Sequence, residues 1–208
     1  MKTILLATGN PGKLKEIEAL LAQAPSDWRR QITLALPQQF GLALEIVEDG
    51  QSYAENAAKK AVAFCKASGL LTLADDSGLE VDALGGQPGL HSARYSPQPG
   101  ASDADRRALL LHNLRQHPRP WTAHFHCTVA IAVPAAGAAS PQLHYAEGQV
   151  MGEIIPAERG SNGFGYDPIF LLPELGRTMA ELTMAEKNEL SHRARAVKAA
   201  IPILMQLT

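Results

Sequence analysis

The stretch LLATGNPGKLKEI, residues 5–17, decides the fold class because it joins an apolar run to a charged amphipathic segment. The apolar periodicity predicts a buried strand at residues 3–7 and a helix at residues 13–23. A turn that contains Gly, Asn and Pro separates the two elements. A strand, a turn and a helix in this order, with further alternation after them, are typical of an α/β protein.

The turn TGNPGK, residues 8–13, is suited to an anion. A turn that leaves a strand and enters a helix directs backbone N–H groups outward, where the helix dipole favours negative charge. Gly9 and Gly12 permit unusual dihedrals and close approach, and Lys13 adds a mobile positive charge. The spacing is not that of a P-loop, however. An ordinary turn with an exposed lysine is therefore the alternative.

The rest of the chain continues the alternation and then changes character. Further helices are predicted at 52–67, at 102–116 and from Thr183 onward, each with a Ser or Thr cap and the last with a kink at Pro202. Extended structure is predicted at 32–47, and strands at 70–74, 79–83, 122–133, 142–150 and 153–157, with a turn at 134–142. Because helices alternate with strands early and an antiparallel pair comes late, we expect a central mixed sheet flanked by helices.

Composition indicates a globular protein and argues against several other classes. The chain has 208 residues, 46% hydrophobic and 19% charged, which fits one domain or a two-lobed one. Its net charge of −2 argues against a surface for nucleic-acid polymers. No apolar run is long enough for a membrane span or a signal peptide, and Cys65 and Cys127 are too few for a disulfide scaffold. We therefore expect a cytoplasmic protein with reduced thiols and no membrane partner.

The segment LADDSG, residues 73–78, is predicted to be an acidic turn after a strand. Asp75 and Asp76 point in different directions and need not share one task, and stabilisation of the turn itself is an alternative role for both. An anion-favouring turn together with carboxylates indicates a divalent cation between them. Mg²⁺ uses one or two carboxylates with substrate phosphates and waters, whereas no His/Cys cluster offers a zinc site.

The loop GSNGFGYDPIF, residues 160–170, carries two aromatic side chains among glycines. Phe164 could present its face to a planar ring, as aromatic side chains do to nucleic-acid bases. The alternative is that Phe164 and Tyr166 cover an apolar edge of the protein.

Three residues of the last predicted helix are candidates for the same site. Lys187 and Arg193 flank its apolar stripe and could reach a cleft, although a solvated charged flank is the alternative. His192 points away in a straight helix, so a role for it requires a bend near Ser191.

Seven segments carry a resemblance to a known family: LATGNPGK at 6–13, ENA at 55–57, ADDSGLEVDALGGQPGLHSARY at 74–95, FHC at 125–127, GFGYDPIF at 163–170, AELT at 180–183 and EKNELSHR at 186–193. Each is modest alone, but together they occur in order and cover nearly the whole chain. The sequence resembles the inosine triphosphate pyrophosphatases, also called non-canonical purine nucleoside triphosphate pyrophosphatases or XTP/dITP diphosphatases.

The resemblance implies an activity and an architecture. It implies hydrolysis of ITP, dITP or XTP to the monophosphate and pyrophosphate, which removes deaminated purines from the nucleotide pool. It also implies a requirement for Mg²⁺, a homodimer, and one domain over residues 1–208 with an elongated two-lobed α/β fold and a substrate cleft between the lobes.

The resemblance assigns residues to the site by motif. Asp76 is expected to be the catalytic acid/base residue and a metal ligand. The residues expected to bind the substrate are Thr8, Gly9, Asn10, Pro11, Gly12 and Lys13 at the triphosphate, Ser77 beside it, and Phe164, Gly165, Tyr166, Asp167, Lys187, His192 and Arg193 at the base. A donor from Arg193 or His192 would favour the 6-oxygen of hypoxanthine or xanthine over the amino group of adenine.

The family's second metal-binding carboxylate falls in a variable stretch before ENA. That stretch reads LEIVEDGQSYAENA here and offers Glu45, Glu48 and Asp49. Its spacing to ENA favours Glu48.

Three other interpretations stay open. One is a related pyrophosphatase that acts on modified pyrimidine or methylated nucleotides, and another is a nucleotide sensor without catalysis. The third is a generic α/β domain in which both turns serve only folding. A panel of triphosphates assayed for pyrophosphate distinguishes them.

Overall fold

The architecture is built on a single sheet. In the computed structural model, which describes residues 1–137 and 139–208, the strands are β1 Lys2–Leu6, β2 Ile32–Ala35, β3 Leu71–Val81, β4 Trp121–Val133, β5 Gln142–Ile154, β6 Phe170–Leu172 and β7 Arg177–Thr178. Across the described residues they form one seven-stranded sheet of order β2-β1-β3-β4-β5-β6-β7. The predicted turn at 134–142 contains Ala138, which lies outside the described residues.

Strand direction confirms the predicted mixed sheet. β1 pairs in parallel with both β2 and β3, whereas β6 pairs antiparallel with both β5 and β7. The α-helices are α1 Pro11–Leu21, α2 Ser26–Arg29, α3 Tyr53–Ser68, α4 Asp103–Leu114, α5 Met184–Leu190 and α6 His192–Leu207. Short 3₁₀ helices occupy Pro37–Phe40, Asp82–Leu84, Gly89–Arg94, Asp167–Ile169 and Met179–Glu181. None of these helices has the length and hydropathy that a membrane crossing requires in the part of the chain described.

The predicted helix caps are present. The Ser52 hydroxyl accepts a hydrogen bond of 3.1 Å from the Glu55 amide and so starts α3. Complete capping boxes start α4, from Ser102 and Asp105, and α5, from Thr183 and Glu186.

The chain divides into two compact units. The first unit contains Met1–Asp76, Cys127–Gly148 and Arg193–Thr208, and the second contains Ser77–His126 and Gln149–His192. Strands β3, β4 and β5 therefore contribute residues to both.

The first unit has an apolar layer on each face of its strands. Ile4 and Leu6 of β1 join a cluster with residues of α1 and α6, while Leu5 between them joins a cluster with residues of α3. Cys65 belongs to the second of these clusters and is buried, as the helical spacing predicts. This alternation is the two-residue period of a strand covered by helices on both faces.

The second unit has an apolar core of its own. Leu79 and Val81 of β3 pack in one cluster with Leu110 of α4 and with aromatic side chains. The rings of Phe125 and Phe170 lie 4.5 Å apart between centroids in a tilted arrangement.

The predicted acidic turn at 73–78 is wrong, because β3 continues through it without interruption. Asp75 and Asp76 are both buried within the strand, and each has cationic partners from other elements. Their carboxylates are compensated by tertiary ion pairs and are not needed to stabilise a local turn. Leu79 and Val81 then continue the apolar pattern beyond them.

The late strands also differ from prediction. The separate strands predicted at 142–150 and 153–157 are one strand, β5, and Gly152 lies inside it. A side chain at Gly152 would approach the Phe170 ring within 2.5 Å, so this glycine serves close packing and does not end the strand. In the stretch 32–47, only Ile32–Ala35 is strand, because Pro37 begins a 3₁₀ helix directly afterwards.

The single long helix predicted after Thr183 is wrong, because the helix is interrupted at Ser191. This residue adopts extended dihedrals, φ −67° and ψ 158°, between α5 and α6. Pro202 lies inside α6, which continues to Leu207. The interruption supplies the bend that a role for His192 requires, and both His192 and Arg193 are buried.

Candidate active site

The turn at residues 8–13 is organised by Asn10. Its Oδ1 accepts hydrogen bonds from the amides of Gly12 at 2.8 Å and Lys13 at 3.2 Å, which caps α1. Thr8 accepts from the Asn10 amide at 3.3 Å, and Pro11 has no N–H to satisfy. The helix amides therefore already have an acceptor in this structure, and a phosphate would have to compete with Asn10 for them.

The glycines of this turn do not have the backbone geometry expected of them. Neither Gly9 nor Gly12 adopts a positive φ. Around Gly9, a β-carbon would meet no atom within 4 Å. The space beside Gly9 is therefore open, and close approach of a ligand to this turn stays a prediction.

Lys13 is held inside the first unit, so the prediction of a mobile charge is wrong. Its Nζ lies 3.1 Å from Asp75 Oδ2, and its side chain is only 15% exposed. The alternative, an exposed lysine on an ordinary turn, also does not match this position.

Asp75 is the centre of a buried ionic network. Besides Lys13, its Oδ2 accepts a hydrogen bond of 3.3 Å from Arg193 Nε, and the Arg193 Nη1 pairs with Glu16. Burial opposes ionisation of Asp75, but the charges of Lys13 and Arg193 outweigh it and hold the pKa of this carboxyl far below its usual range. Cys127 borders the network, and burial together with the Asp75 charge raises the pKa of its thiol to about 12.

Asp76 has a different set of partners, as the opposite directions of neighbouring strand residues predict. Asn56 Nδ2 donates to its Oδ2 at 3.1 Å, and Lys60 Nζ lies 3.8 Å from its Oδ1. Burial raises the pKa of Asp76 even though the charge of Lys60 opposes this shift. A carboxylate with a raised pKa is a better proton acceptor than one held like Asp75.

Glu48 is the candidate metal ligand that lies in this cluster. Lys60 Nζ is 2.6 Å from Glu48 Oε1, so Glu48 and Asp76 converge on the same ammonium. Asp49 pairs instead with Lys59, at 2.5 Å, and its side chain is 68% exposed, while Glu45 is exposed. These positions support the choice of Glu48 that the spacing favours.

The carboxylate oxygens that converge at Lys60 are donors of the kind that Mg²⁺ prefers. Among residues 1–137 and 139–208, no three His, Cys, Asp or Glu side chains come together as a metal site. Two carboxylates that face one cation are nevertheless what Mg²⁺ uses when phosphate oxygens and waters complete its coordination.

In the second unit, glycines and Asp167 shape the loop at 160–167. Gly163 has φ +76°, and a β-carbon there would lie 2.1 Å from Asp167 Oδ2. That carboxylate oxygen accepts from the Phe164 amide at 2.9 Å and from Lys187 Nζ at 2.6 Å. Both the Asp167 and Lys187 side chains are 5% exposed, so this ion pair is an internal support of the loop.

Contacts with α4 hold the loop at Gly165. Its amide donates to Asp103 Oδ2 at 2.7 Å, and its carbonyl accepts from Arg107 Nη1 at 2.8 Å. Burial disfavours ionisation of Asp103, but its hydrogen bonds from Arg106 and from the Gly165 amide lower its pKa, so this acceptor stays ionised.

The two aromatic side chains of the loop have different environments. Tyr166 is buried and donates its hydroxyl to the Ser92 carbonyl at 2.9 Å, which corresponds to the apolar-edge alternative. Phe164 is half-buried, and Lys187 Nζ lies 5.2 Å from its ring centroid. Phe164 is therefore the one of the two whose ring is accessible for stacking.

His192 and Ser77 complete the predicted set in the second unit. The His192 imidazole stacks on the Phe125 ring at 4.6 Å between centroids, with 15° between the planes. His192 is buried, whereas Ser77 follows Asp76 on β3 and is half-buried.

Sequence reasoning missed four residues that support these groups: Glu16, Asn56, Lys60 and Asp103. Helical spacing could have found two of them. Glu16 lies three residues after Lys13 on α1, and Lys60 lies four residues after Asn56 on α3, so each pair shares a helix face.

Comparison with known proteins gives a consistent result over the whole chain. The sequence profile of the Ham1 family matches residues 4–203. A protein named dITP/XTP pyrophosphatase from Desulforamulus reducens is 44% identical over 206 residues, covering 98% of this chain and 96% of its own. One of the same name from Ralstonia nicotianae is 46% identical over 199 residues, covering 95% and 94%.

Solved structures agree with the sequence relatives. A HAM1 protein from Coxiella burnetii is similar with a TM-score of 0.84 and 38% identity, covering 99% of this chain and 100% of the other. A nucleoside-triphosphatase / dITP/XTP pyrophosphatase from Mycobacterium abscessus has a TM-score of 0.74 and 40% identity, with coverage of 97% and 99%.

Proposed function

The chain belongs to the Ham1 family, and we propose that it hydrolyses the non-canonical purine nucleoside triphosphates dITP, ITP and XTP to the monophosphate and pyrophosphate. Relatives named dITP/XTP pyrophosphatases, 44% and 46% identical over nearly the whole chain, support this substrate class. The observation that carries the proposal is the Asp75–Asp76 pair, in which one carboxylate is fixed to Lys13 and the other is poised beside Lys60. Removal of deaminated purines from the nucleotide pool is the resulting role.

We assign the triphosphate to residues of the first unit. Lys13 supplies positive charge from a fixed position, because Asp75 pairs with it and Arg193 in turn pairs with Asp75. This charge stabilises the negative charge that develops on the departing pyrophosphate. Glu48 and Asp76 would hold Mg²⁺, which neutralises phosphate oxygens and lowers the pKa of a bound water.

Asp76 is the proposed proton acceptor. The oxygen of water attacks the α-phosphorus, the bond from that phosphorus to the bridging oxygen breaks, and pyrophosphate leaves with the bonding electrons. The water proton passes to the Asp76 carboxylate, whose orientation is set by the hydrogen bond from Asn56. Asp75, in contrast, has its pKa held low by Lys13 and Arg193 and suits a permanent counter-ion.

We assign the base to residues of the second unit. Phe164 supplies a partly exposed ring for stacking, with its amide bound to Asp167 and the Lys187 ammonium over the ring. Of the two candidate donors to the purine 6-oxygen, His192 is favoured, because Arg193 directs Nε and Nη1 to Asp75 and Glu16. A donor that meets the amino group of adenine can discriminate by about 10⁴.

The family resemblance further supports a homodimer that acts in the cytoplasm and depends on Mg²⁺. Light scattering on the purified protein should give twice the chain mass of 22.3 kDa. A monomeric mass would contradict the proposed homodimer but not the proposed reaction.

The decisive experiment is a panel of triphosphates assayed for pyrophosphate with and without Mg²⁺. We expect strong preference for dITP, ITP and XTP over ATP, UTP and TTP, and no turnover in a chelator. Equal rates on all triphosphates, or release of orthophosphate alone, would contradict the proposal. Tight binding of ITP without turnover would favour the alternative of a nucleotide sensor without catalysis.

A further inference from the structure

Lys60 lies between the two carboxylates assigned to magnesium, and the inference drawn from it rests on the proposed function. Its Nζ is 2.6 Å from Glu48 Oε1 and 3.8 Å from Asp76 Oδ1. The Lys60 side chain is only 14% exposed, so its ammonium is largely withdrawn from water. A positive charge therefore already lies where the two proposed ligands converge.

The two carboxylates differ in how firmly the backbone holds them. Asp76 lies inside β3, a strand paired on both sides in the sheet order. Glu48 lies in the stretch between the 3₁₀ helix Pro37–Phe40 and α3, which has no helix or strand. Lys60 is on α3, so its ion pair ties the Glu48 segment to a rigid helix.

A neighbouring ion pair joins the segment of Glu48 to α3 outside the carboxylate cluster and serves as a comparison. Lys59, the residue before Lys60, pairs with Asp49, the residue after Glu48, at 2.5 Å. Both members are well exposed, at 42% and 68% of their side chains. The two lysines hold the same segment, but only Lys60 faces a second carboxylate.

From this geometry we propose that, in the nucleotide-free protein, the Lys60 ammonium occupies the position of the divalent cation. It neutralises Glu48 and Asp76 before substrate arrives, and a metal ion must displace it from them. The ammonium and the metal ion compete for the same oxygens. Cation affinity in the absence of nucleotide is consequently weaker than two converging carboxylates would otherwise give.

The test is direct titration of the nucleotide-free protein with Mn²⁺, by calorimetry or by electron paramagnetic resonance of free Mn²⁺. Lys60→Met keeps the length of the side chain and removes its charge, so it should bind Mn²⁺ at least about tenfold more tightly than the wild type. Lys60→Arg retains the charge and should bind no more tightly than the wild type. Lys59→Met is the matched control and should change the affinity by less than about twofold, because its charge is exposed and screened.

A second measurement uses the unmodified protein and does not depend on the folding of a variant. Nitrogen-15 NMR of the lysine ammonium groups should show the Lys60 signal shift on titration with Mg²⁺ while that of Lys59 stays. A Lys60 ammonium signal that does not shift on saturation with Mg²⁺ would overturn the proposal. So would a folded Lys60→Met protein that binds Mn²⁺ no more tightly than the wild type.

The outcomes also separate this inference from the function on which it rests. If the protein hydrolyses ITP but Lys60 does not compete with the metal ion, the proposal for Lys60 is refuted and the proposed reaction is not. If Lys60 competes with the metal ion but the protein releases no pyrophosphate from any purine triphosphate, the proposed reaction is refuted and the proposal for Lys60 is supported.

Discussion

The two units of this protein hold their candidate site residues by different means. In the first unit, charged side chains from α1, β3 and α6 meet in the interior, and Arg193 and Asp75 are each 1% exposed. In the second unit, one loop is shaped by backbone conformation, with Gly160 and Gly163 at positive φ and the buried ion pair Asp167–Lys187 beneath it. The first unit is thus sensitive to the loss of a charge, and the second to the gain of a side chain.

The largest effect is expected from Asp76→Asn in the first unit. It removes the proposed proton acceptor while keeping the shape of the side chain, so the rate of ITP turnover should fall by about 10⁴-fold. Binding of ITP measured without Mg²⁺ and the free energy of unfolding should change little. Asp27→Asn, an exposed carboxylate at 83%, is the control and should keep full turnover. Near-normal turnover by Asp76→Asn would remove this residue from the chemistry.

The next effect is on stability and tests whether the first unit depends on charge balance. Arg193→Met removes the buried guanidinium that pairs with both Glu16 and Asp75, which should cost about 3–5 kcal/mol in urea unfolding. Arg30→Met breaks an exposed pair with Asp27 and should cost less than about 1 kcal/mol. Similar costs for the two substitutions would show that the buried network does not carry the stability of this unit.

A smaller effect is expected in the second unit, where conformation matters. Gly163→Ala would push a β-carbon into Asp167 Oδ2, so it should raise the KM for ITP by about tenfold with little change in kcat, because it disturbs the support of Phe164. Gly176→Ala also has a positive φ but meets no atom within 4 Å, so it should cost only about 1 kcal/mol of stability and leave KM unchanged. Identical KM values for both variants would contradict the support role of Asp167.

The smallest effect is a pH dependence at the start of α5. Hydrogen bonds from Arg177 and from Thr183 lower the pKa of Glu186 from 4.5 to about 2. Since its folded-state pKa is depressed, its stabilisation is complete above pH 4.5 and is lost as the pH falls toward 2. The difference in unfolding free energy between wild type and Glu186→Gln should therefore be larger at pH 7 than at pH 3. If this difference in unfolding free energy does not change with pH, the charge of Glu186 does not contribute to stability.

The two units also differ in what their sequence reveals. Some contacts in the second unit are local, although others such as Gly165–Asp103 are not. Ser102 and Thr183 cap helices within three residues, and Asp167 supports Phe164 within three residues. Such contacts can be predicted from short motifs. The bend that a role for His192 requires is present at Ser191, and both residues are buried.

Contacts in the first unit join residues far apart in the chain, and local patterns do not specify them. Asp75 and Arg193 are separated by 118 residues, and Asn56 and Asp76 by 20. Without those partners, two adjacent aspartates indicate a turn, which is why the strand through them was not predicted. Motif resemblance assigns roles to Asp76 and Lys13, but it could not show that Asp75 binds Lys13 or that Lys60 faces Asp76.

The most direct test of the central claim is hydrolysis of ITP in water labelled with oxygen-18, followed by mass spectrometry of both products. Attack of water on the α-phosphorus, with Asp76 as proton acceptor, predicts one labelled oxygen in the inosine monophosphate and none in the pyrophosphate. The label should not appear above background with Asp76→Asn. Label in the pyrophosphate, or labelled monophosphate formed at the wild-type rate by Asp76→Asn, would contradict the account.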